Sequence, residues 1–294
     1  MRWRLLAALV LMIALGAAGV GRAQVPIYFN VIHCDPHFAS EADWGALEDL
    51  VSAADARGIA LTIQFNPAWS GVISSDASRA GDILGWVADG HEIGGHHHVL
   101  SHPGAWDGYS NQPAAVNAPG YLGSMQDWLA ALTALLPSSA EILTVSSKDF
   151  DFPAGVDFQT GGSGSTPSPS DAASVPTLKS LNGAPVWQID HAALIAGGVW
   201  QTTQMKAVFN ATAADQVFGV AFHPHDYYTG NHENVDEWFD FLVGVDPDQS
   251  HSQTAGAILE AHRQALQATV PGASMGVLAV TSLLLLCAAL RALR

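Results

Sequence analysis

Short strands rich in β-branched and aromatic residues alternate along this chain with amphipathic helices, and that alternation confines it to an α/β architecture. VPIYFNVIH, Val25 to His33, reads as a first strand. The spacing of Trp44, Leu47, Val51 and Ala54 predicts a helix over 41–57, with Ser40 able to cap its start and Gly58 to end it. IALTIQF, Ile59 to Phe65, is a second strand. A helix through Ile83, Leu84, Trp86 and Val87 stops at Gly90, and His91 to Gly95 opens a third strand. Further on, the pattern predicts a helix over Trp128–Leu136, short strands over Glu141–Ser146 and Pro185–Ile189, a buried strand over Val217–Phe222, and helices over Val235–Val243 and Thr254–Gln267. Such an order forms a parallel sheet or (β/α) barrel, in which the carboxyl ends of the strands share one face. The segment TGGSGSTPSPSDAASVPT, Thr160 to Thr177, has turn composition and reads as a long surface loop within one domain.

The two ends of the chain differ from this pattern. Arg2 and Arg4 precede an apolar run from Leu5 to Val20 and the small-residue stretch Gly21-Arg22-Ala23, which is the form of a secretory signal over residues 1–23. A second apolar run, Val270 to Leu290, is long enough to span a bilayer at about 1.5 Å per residue. Arg291 and Arg294 close it, so residues 270–294 are expected to be a membrane anchor with those arginines inside. Residues 24–269 are then one exported domain at the cell envelope, anchored or released. All 27 Asp and Glu lie between these ends, whereas Arg2, Arg4, Arg22, Arg291 and Arg294 lie in them, so the domain is more acidic than the formal net charge of −16. Such a field disfavours nucleic acid and anionic lipid as partners, but not metal cations or neutral sugars. Cys287 sits in the tail and Cys34 in the domain, so no disulfide can form within the domain and stability has to come from the core.

The chemistry concentrates at three places that the topology would bring to one face: Asp35 after the first strand, the cluster His96 to His102 after the third, and His223 with His225 after the strand ending at Phe222. In HEIGGHHHVLSHP, His91 to Pro103, His98 and His102 are four apart, and one helical turn would aim both imidazoles at a common point. Asp35 would complete a His, His, Asp set around one divalent metal. His96, six residues before His102, competes with His98 as first ligand. Strand alternation sends His33 and Asp35 to the same face, with His33 a candidate third nitrogen ligand, and turns Cys34 the other way as a buried thiol. Trp69, Trp106, Tyr109, Tyr227 and Tyr228 fall in expected loops, where they either pack or stack on sugar faces.

This block resembles the polysaccharide deacetylase, or NodB-homology, family, in which a glycine and His-Glu-Ile-Gly lead into two metal histidines four apart, the second followed by proline. Here Gly90-His91-Glu92-Ile93-Gly94 leads through His96-His97-His98 to Ser101-His102-Pro103, with two extra residues inside the frame. His98 fits by its spacing from His102, and His96 by its distance from the Ile-Gly pair. IALTIQF and VFGVAFHPHDY are similar to the family's second strand and closing histidine motif, so the resemblance runs from Ile27 to Tyr228. It implies a distorted (β/α) barrel of the polysaccharide deacetylase type. It also implies one divalent metal, zinc with cobalt or nickel as alternatives, and removal of acetyl groups from an extracellular or envelope polysaccharide. His223 or His225 would protonate the leaving group, and Asp226, His33 and His37 are candidates for the base.

Two positions depart from the family pattern. The family carries two adjacent aspartates, a base and then a ligand; Asp35 matches the ligand, and Cys34 stands at the base position. Asp151-Phe152-Pro153-Ala154-Gly155 occupies the place of a proline motif that in the family contains an arginine. These departures support a second reading, a catalytically inactive surface protein that keeps the fold and binds carbohydrate. Finally, Val270-Pro271-Gly272-Ala273-Ser274 with the apolar run and closing arginines resembles bacterial sorting signals of the PEP-CTERM type, which implies a C-terminal sorting protease as partner; a plain anchor is the alternative.

Overall fold

The computed structural model describes residues 25–101, 106–161, 168–228 and 232–269. The expected signal at 1–23, the tail at 270–294 and His102 lie outside the described residues. In chain order the strands are β1 (Ile27–His33), β2 (Leu61–Phe65), β3 (Glu92–His96), β4 (Thr144–Ser146), β5 (Phe158–Thr160), β6 (Ala173–Ser174), β7 (Thr177–Leu181), β8 (Ala184–Ile189), β9 (Ala192–Ala193), β10 (Ile195–Ala196), β11 (Val199–Trp200) and β12 (Val217–Phe222). The helices are α1 (Glu41–Asp55), α2 (Ser70–Ser75), α3 (Ser78–Ala88), α4 (Pro113–Val116), α5 (Met125–Leu135), α6 (Thr202–Ala211), α7 (His232–Val245) and α8 (Ala255–Thr269).

One sheet runs in the order β6-β12-β1-β2-β3-β4-β5-β8-β7, and β9 also pairs with β12. Every pairing from β12 through β8 is parallel, while β6 and β7 are added antiparallel at the two edges. The sheet curls without closing, and the chain is a distorted (β/α) barrel, as the alternation predicts. Residues of β2, β3 and β12 are buried throughout, the pattern of parallel strands covered on both faces.

Local sequence explains the main elements. The Ser40 side chain accepts the Asp43 N–H at the start of α1, whose Trp44, Leu47, Leu50, Val51 and Ala54 face the core. Gly58, at φ +69°, lets the chain turn back into β2. A capping box of Ser124 and Asp127 starts α5, which lays Trp128 and Leu132 against β3. That approach requires glycine in the strand: a Cβ on Gly95 would lie 2.5 Å from the Trp128 ring and 2.7 Å from Leu132. Glu92, buried in β3, accepts hydrogen bonds from Thr144 Oγ1 in β4 and from the Gly256 N–H in α8, both at 2.6 Å. It thereby ties the last helix to the sheet.

Three expectations change. The third strand begins at Glu92 and ends on His96, so His96 itself sits at the strand's carboxyl end. The stretch 160–177 is only partly loop: Thr160 closes β5, Thr177 opens β7, and residues 173–174 form β6 against Val217 and Phe218. Edge pairing there uses backbone groups and needs no apolar side chains, so composition does not reveal it. Helix α6 was not expected, because only two of its large apolar side chains, Met205 and Phe209, face the core. Among the described residues no helix is long and apolar enough to cross a membrane.

Candidate metal centre

The carboxyl ends of β12, β1, β3 and β8 deliver His223, His33 with Asp35, His96 with His98, and His191 to one end of the sheet. At the exit of β1 the side chains of His33 and Asp35 share a face, and Cys34 is fully buried in the hydrophobic core. Burial pushes the Cys34 thiol well above its ordinary pKa, and the Asp35 and Asp43 charges add to that. A buried neutral thiol cannot stand in for a carboxylate base, and Cys34 is the buried thiol that strand alternation predicts.

Asp35 is the hub. Its Oδ1 lies 3.1 Å from Nε2 of His96 and 3.1 Å from Nε2 of His98. Its Oδ2 lies 3.6 Å from Nε2 of His223 and 3.9 Å from Nδ1 of His37. Burial alone would raise the Asp35 pKa, but His223, His96 and His98 together hold it well below the carboxylate range. Trp69 is fully buried and donates its Nε1–H to the Asp35 carbonyl at 3.1 Å. It fixes the strand exit and is not available to stack on a sugar.

Residues 96–98 place both His96 and His98 beside Asp35. The chain leaving β3 carries no helix over 97–99, so side chains alternate rather than repeat every four residues. His96 and His98 both face Asp35, as an i, i+2 pair; the expected partner His102 lies outside the described residues. His97 points the other way, with Nδ1 2.8 Å from Asp107 Oδ2 and Nε2 3.8 Å from Asp151 Oδ2. Burial would lower the His97 pKa, yet these two carboxylates raise it. Asp107 also accepts Asn66 Nδ2 at 2.8 Å, Trp128 Nε1 at 3.0 Å and the His98 N–H at 3.1 Å. Asn66 donates in addition to the His96 carbonyl at 2.8 Å. Asp151 accepts Ser110 Oγ and the Asn111 N–H, both at 2.7 Å.

The His33 ring stacks on His96 at 3.9 Å, and burial with the neighbouring imidazoles keeps its pKa well below 6.5. His191 sits edge-on to His33 at 5.0 Å, its pKa lowered to about 3 by burial and then by His96 and His223. No motif marked His191; the only signal was its place after an expected strand. His223 behaves oppositely: although burial lowers it, the bond of Nδ1 to Asp226 Oδ2 at 2.9 Å and the charge of Asp35 raise it to about 9. Asp226 Oδ2 also accepts the His223 N–H at 2.8 Å, so this carboxylate orients His223. His225 is placed beside Asp43, 3.5 Å from its Oδ1, stacked on Phe38 at 4.3 Å and edge-on to Tyr228 at 4.9 Å. Tyr227 donates to Asp236 at 3.3 Å, and Trp106 donates to the Tyr109 carbonyl at 3.1 Å. His91, first residue of the motif, is structural: Nδ1 accepts the Leu61 N–H at 3.0 Å and Nε2 meets Asp55 at 2.9 Å.

The donor set fits a divalent ion. Tetrahedral zinc with bonds of about 2.0–2.1 Å separates neighbouring donor atoms by roughly 3.3 Å, close to the 3.1 Å from Asp35 Oδ1 to each imidazole nitrogen. Among the described residues two groups place their donor atoms within 4.8 Å of one another, Asp35 with His96 and His98, and His33 with Asp35 and His223.

No protein-family model and no curated protein matches the chain. Among solved structures, a protein assigned as a polysaccharide deacetylase from Mycobacterium smegmatis matches with a TM-score of 0.52 at 10% identity, over 84% of this chain and 94% of that one. Puue allantoinase matches with a TM-score of 0.49 at 12% identity, over 80% and 88%. A second protein so assigned, from Pseudomonas aeruginosa PAO1, matches with a TM-score of 0.45 at 14% identity, over 70% and 68%. The likeness to the first of these is one of fold, and the barrel is of the polysaccharide deacetylase type.

Proposed function

We propose that this chain is a metal-dependent hydrolase that removes acetyl groups from an extracellular or envelope polysaccharide. The observation that carries the reading is the convergence of Asp35, His96 and His98 in one buried donor set, with an oriented histidine, His223, on the other oxygen of Asp35. Those three residues would hold the ion. When bound, a divalent metal of the zinc type activates water and polarises a carbonyl at neutral pH. Asp226 fixes the His223 ring by its Nδ1, which leaves Nε2 facing the site, where a proton can be given to the leaving amine or alcohol. Phe38, His225 and Tyr228 form a group of rings beside that histidine, suited to a sugar face. The apolar ends of the chain support the envelope setting, with the tail as anchor or as substrate of a sorting protease.

Full-length protein supplied with zinc, cobalt or nickel should release acetate from acetylated glucosamine polymers, and His96→Ala should lose at least about two orders of magnitude in rate, the usual scale for removing a catalytic element. Metal binding without acetate release across a broad panel of acetylated glycans overturns it. That outcome would favour the second reading, a carbohydrate-binding surface protein. A specific observation motivates that reading: the position of the family's base is the buried thiol of Cys34.

A further inference from the structure

Asp35 shows its two oxygens to two different sets of imidazoles. Oδ1 faces His96 and His98, whereas Oδ2 faces His223, and His33 completes that second group with its donor atoms within 4.8 Å of one another. His33 is only 9% exposed, and its Nε2 has no hydrogen-bond partner among the described residues. A buried polar atom left unmatched costs about 1–3 kcal/mol, so the nitrogen calls for something to fill the space it faces. His223 is prepared in a complementary way. Its Nδ1 is committed to Asp226 at 2.9 Å, the arrangement by which an outer carboxylate orients a ligating imidazole, and Nε2 is turned toward Asp35 Oδ2. Behind them His191, itself buried and with Nδ1 unmatched, packs edge-on against His33.

We propose that His33, Asp35 and His223 form a second divalent-metal position, joined to the first through the Asp35 carboxylate. This rests on the proposed metal reading of Asp35, His96 and His98. Two imidazoles with one carboxylate oxygen select zinc, cobalt or nickel over magnesium or calcium, which take all-oxygen sites. The second position shares its only charged donor with the first and lies a few ångströms from a like charge, so it binds more weakly. His223 Nε2 cannot hold a proton and a metal at once, so filling the second position removes the proton donor of the proposed reaction. The first equivalent of metal therefore activates and the second inhibits.

The test uses full-length protein without a histidine tag, stripped of metal, titrated with Co²⁺ by visible absorption, and dialysed for elemental counting of bound cobalt. Two ions per chain are expected, the second weaker by about tenfold or more. His33→Ala and His33→Gln, each checked for folding by circular dichroism, should keep one. One ion per chain in the wild type overturns the second position and leaves the first standing. No ion overturns both. Two ions in folded His33 variants overturn the assignment of His33. The wild-type count decides the matter without any variant that fails to fold.

Discussion

Asp107 determines which way three consecutive histidines point. It draws His97 to one side, takes the His98 N–H, and shares Asn66 with the His96 carbonyl, so that the flanking imidazoles face Asp35. Side chains of both Asp107 and His97 are essentially fully buried. Removing one member of a buried pair costs about 3–5 kcal/mol, and Asp107→Asn should lower the unfolding free energy of the metal-free protein by that amount in urea titrations while weakening zinc binding. A loss below about 1 kcal/mol, the scale of an ordinary substitution, would remove the anchoring role. At this scale the sequence was partly legible. HEIGGHHHVLSHP stands out by its crowding of histidines, and Asp35 by its place after a strand. Which histidines face the site depends on whether the chain past β3 coils or stays uncoiled, and a spacing of four presupposes the coil. His191 was illegible because a lone histidine after a short strand has no partner pattern in sequence.

Among the elements, the tie between β3 and α8 has a pH signature. Burial raises the Glu92 pKa above its ordinary 4.5, against the lowering effect of hydrogen bonds from Thr144, Gly256 and Thr254. For an acid raised on folding, the folded state keeps a proton that the unfolded chain releases. Stability therefore falls as pH rises from 4.5 through the folded value. Glutamine can still accept from Gly256 and carries no charge, so the stability of Glu92→Gln relative to wild type should grow between pH 4.5 and neutrality. Guanidinium unfolding at several pH values reads this directly, and a difference independent of pH would mean that the Glu92 pKa is the same in the folded and the unfolded chain. Strongly periodic elements such as β1, β2, β12 and α1 were readable within two residues, because their burial is written in side chains. β6 and α6 were not, since one rests on backbone pairing and the other on two apolar anchors.

Across the whole molecule, the donors of the proposed metal centre come from separate strands, so a bound ion would crosslink the folded state and not the unfolded chain. At a free concentration one hundred times Kd, such a ligand adds about 2.7 kcal/mol. Zinc should raise the melting temperature, chelator should reverse the rise, and His96→Ala should shrink it to what the weaker second position supplies; magnesium at equal concentration controls for screening of the acidic surface. A zinc shift undiminished in His96→Ala would place the stabilising ion elsewhere. The strand order also has a consequence in time. β1, β2 and β3 are consecutive in the chain and adjacent in the sheet, so the donors at 35, 96 and 98 come together through short-range steps. β12, which pairs with the opposite side of β1 and carries His223, must close a far longer loop. During synthesis, all residues of the proposed set Asp35, His96 and His98 would have emerged well before His223 of the other.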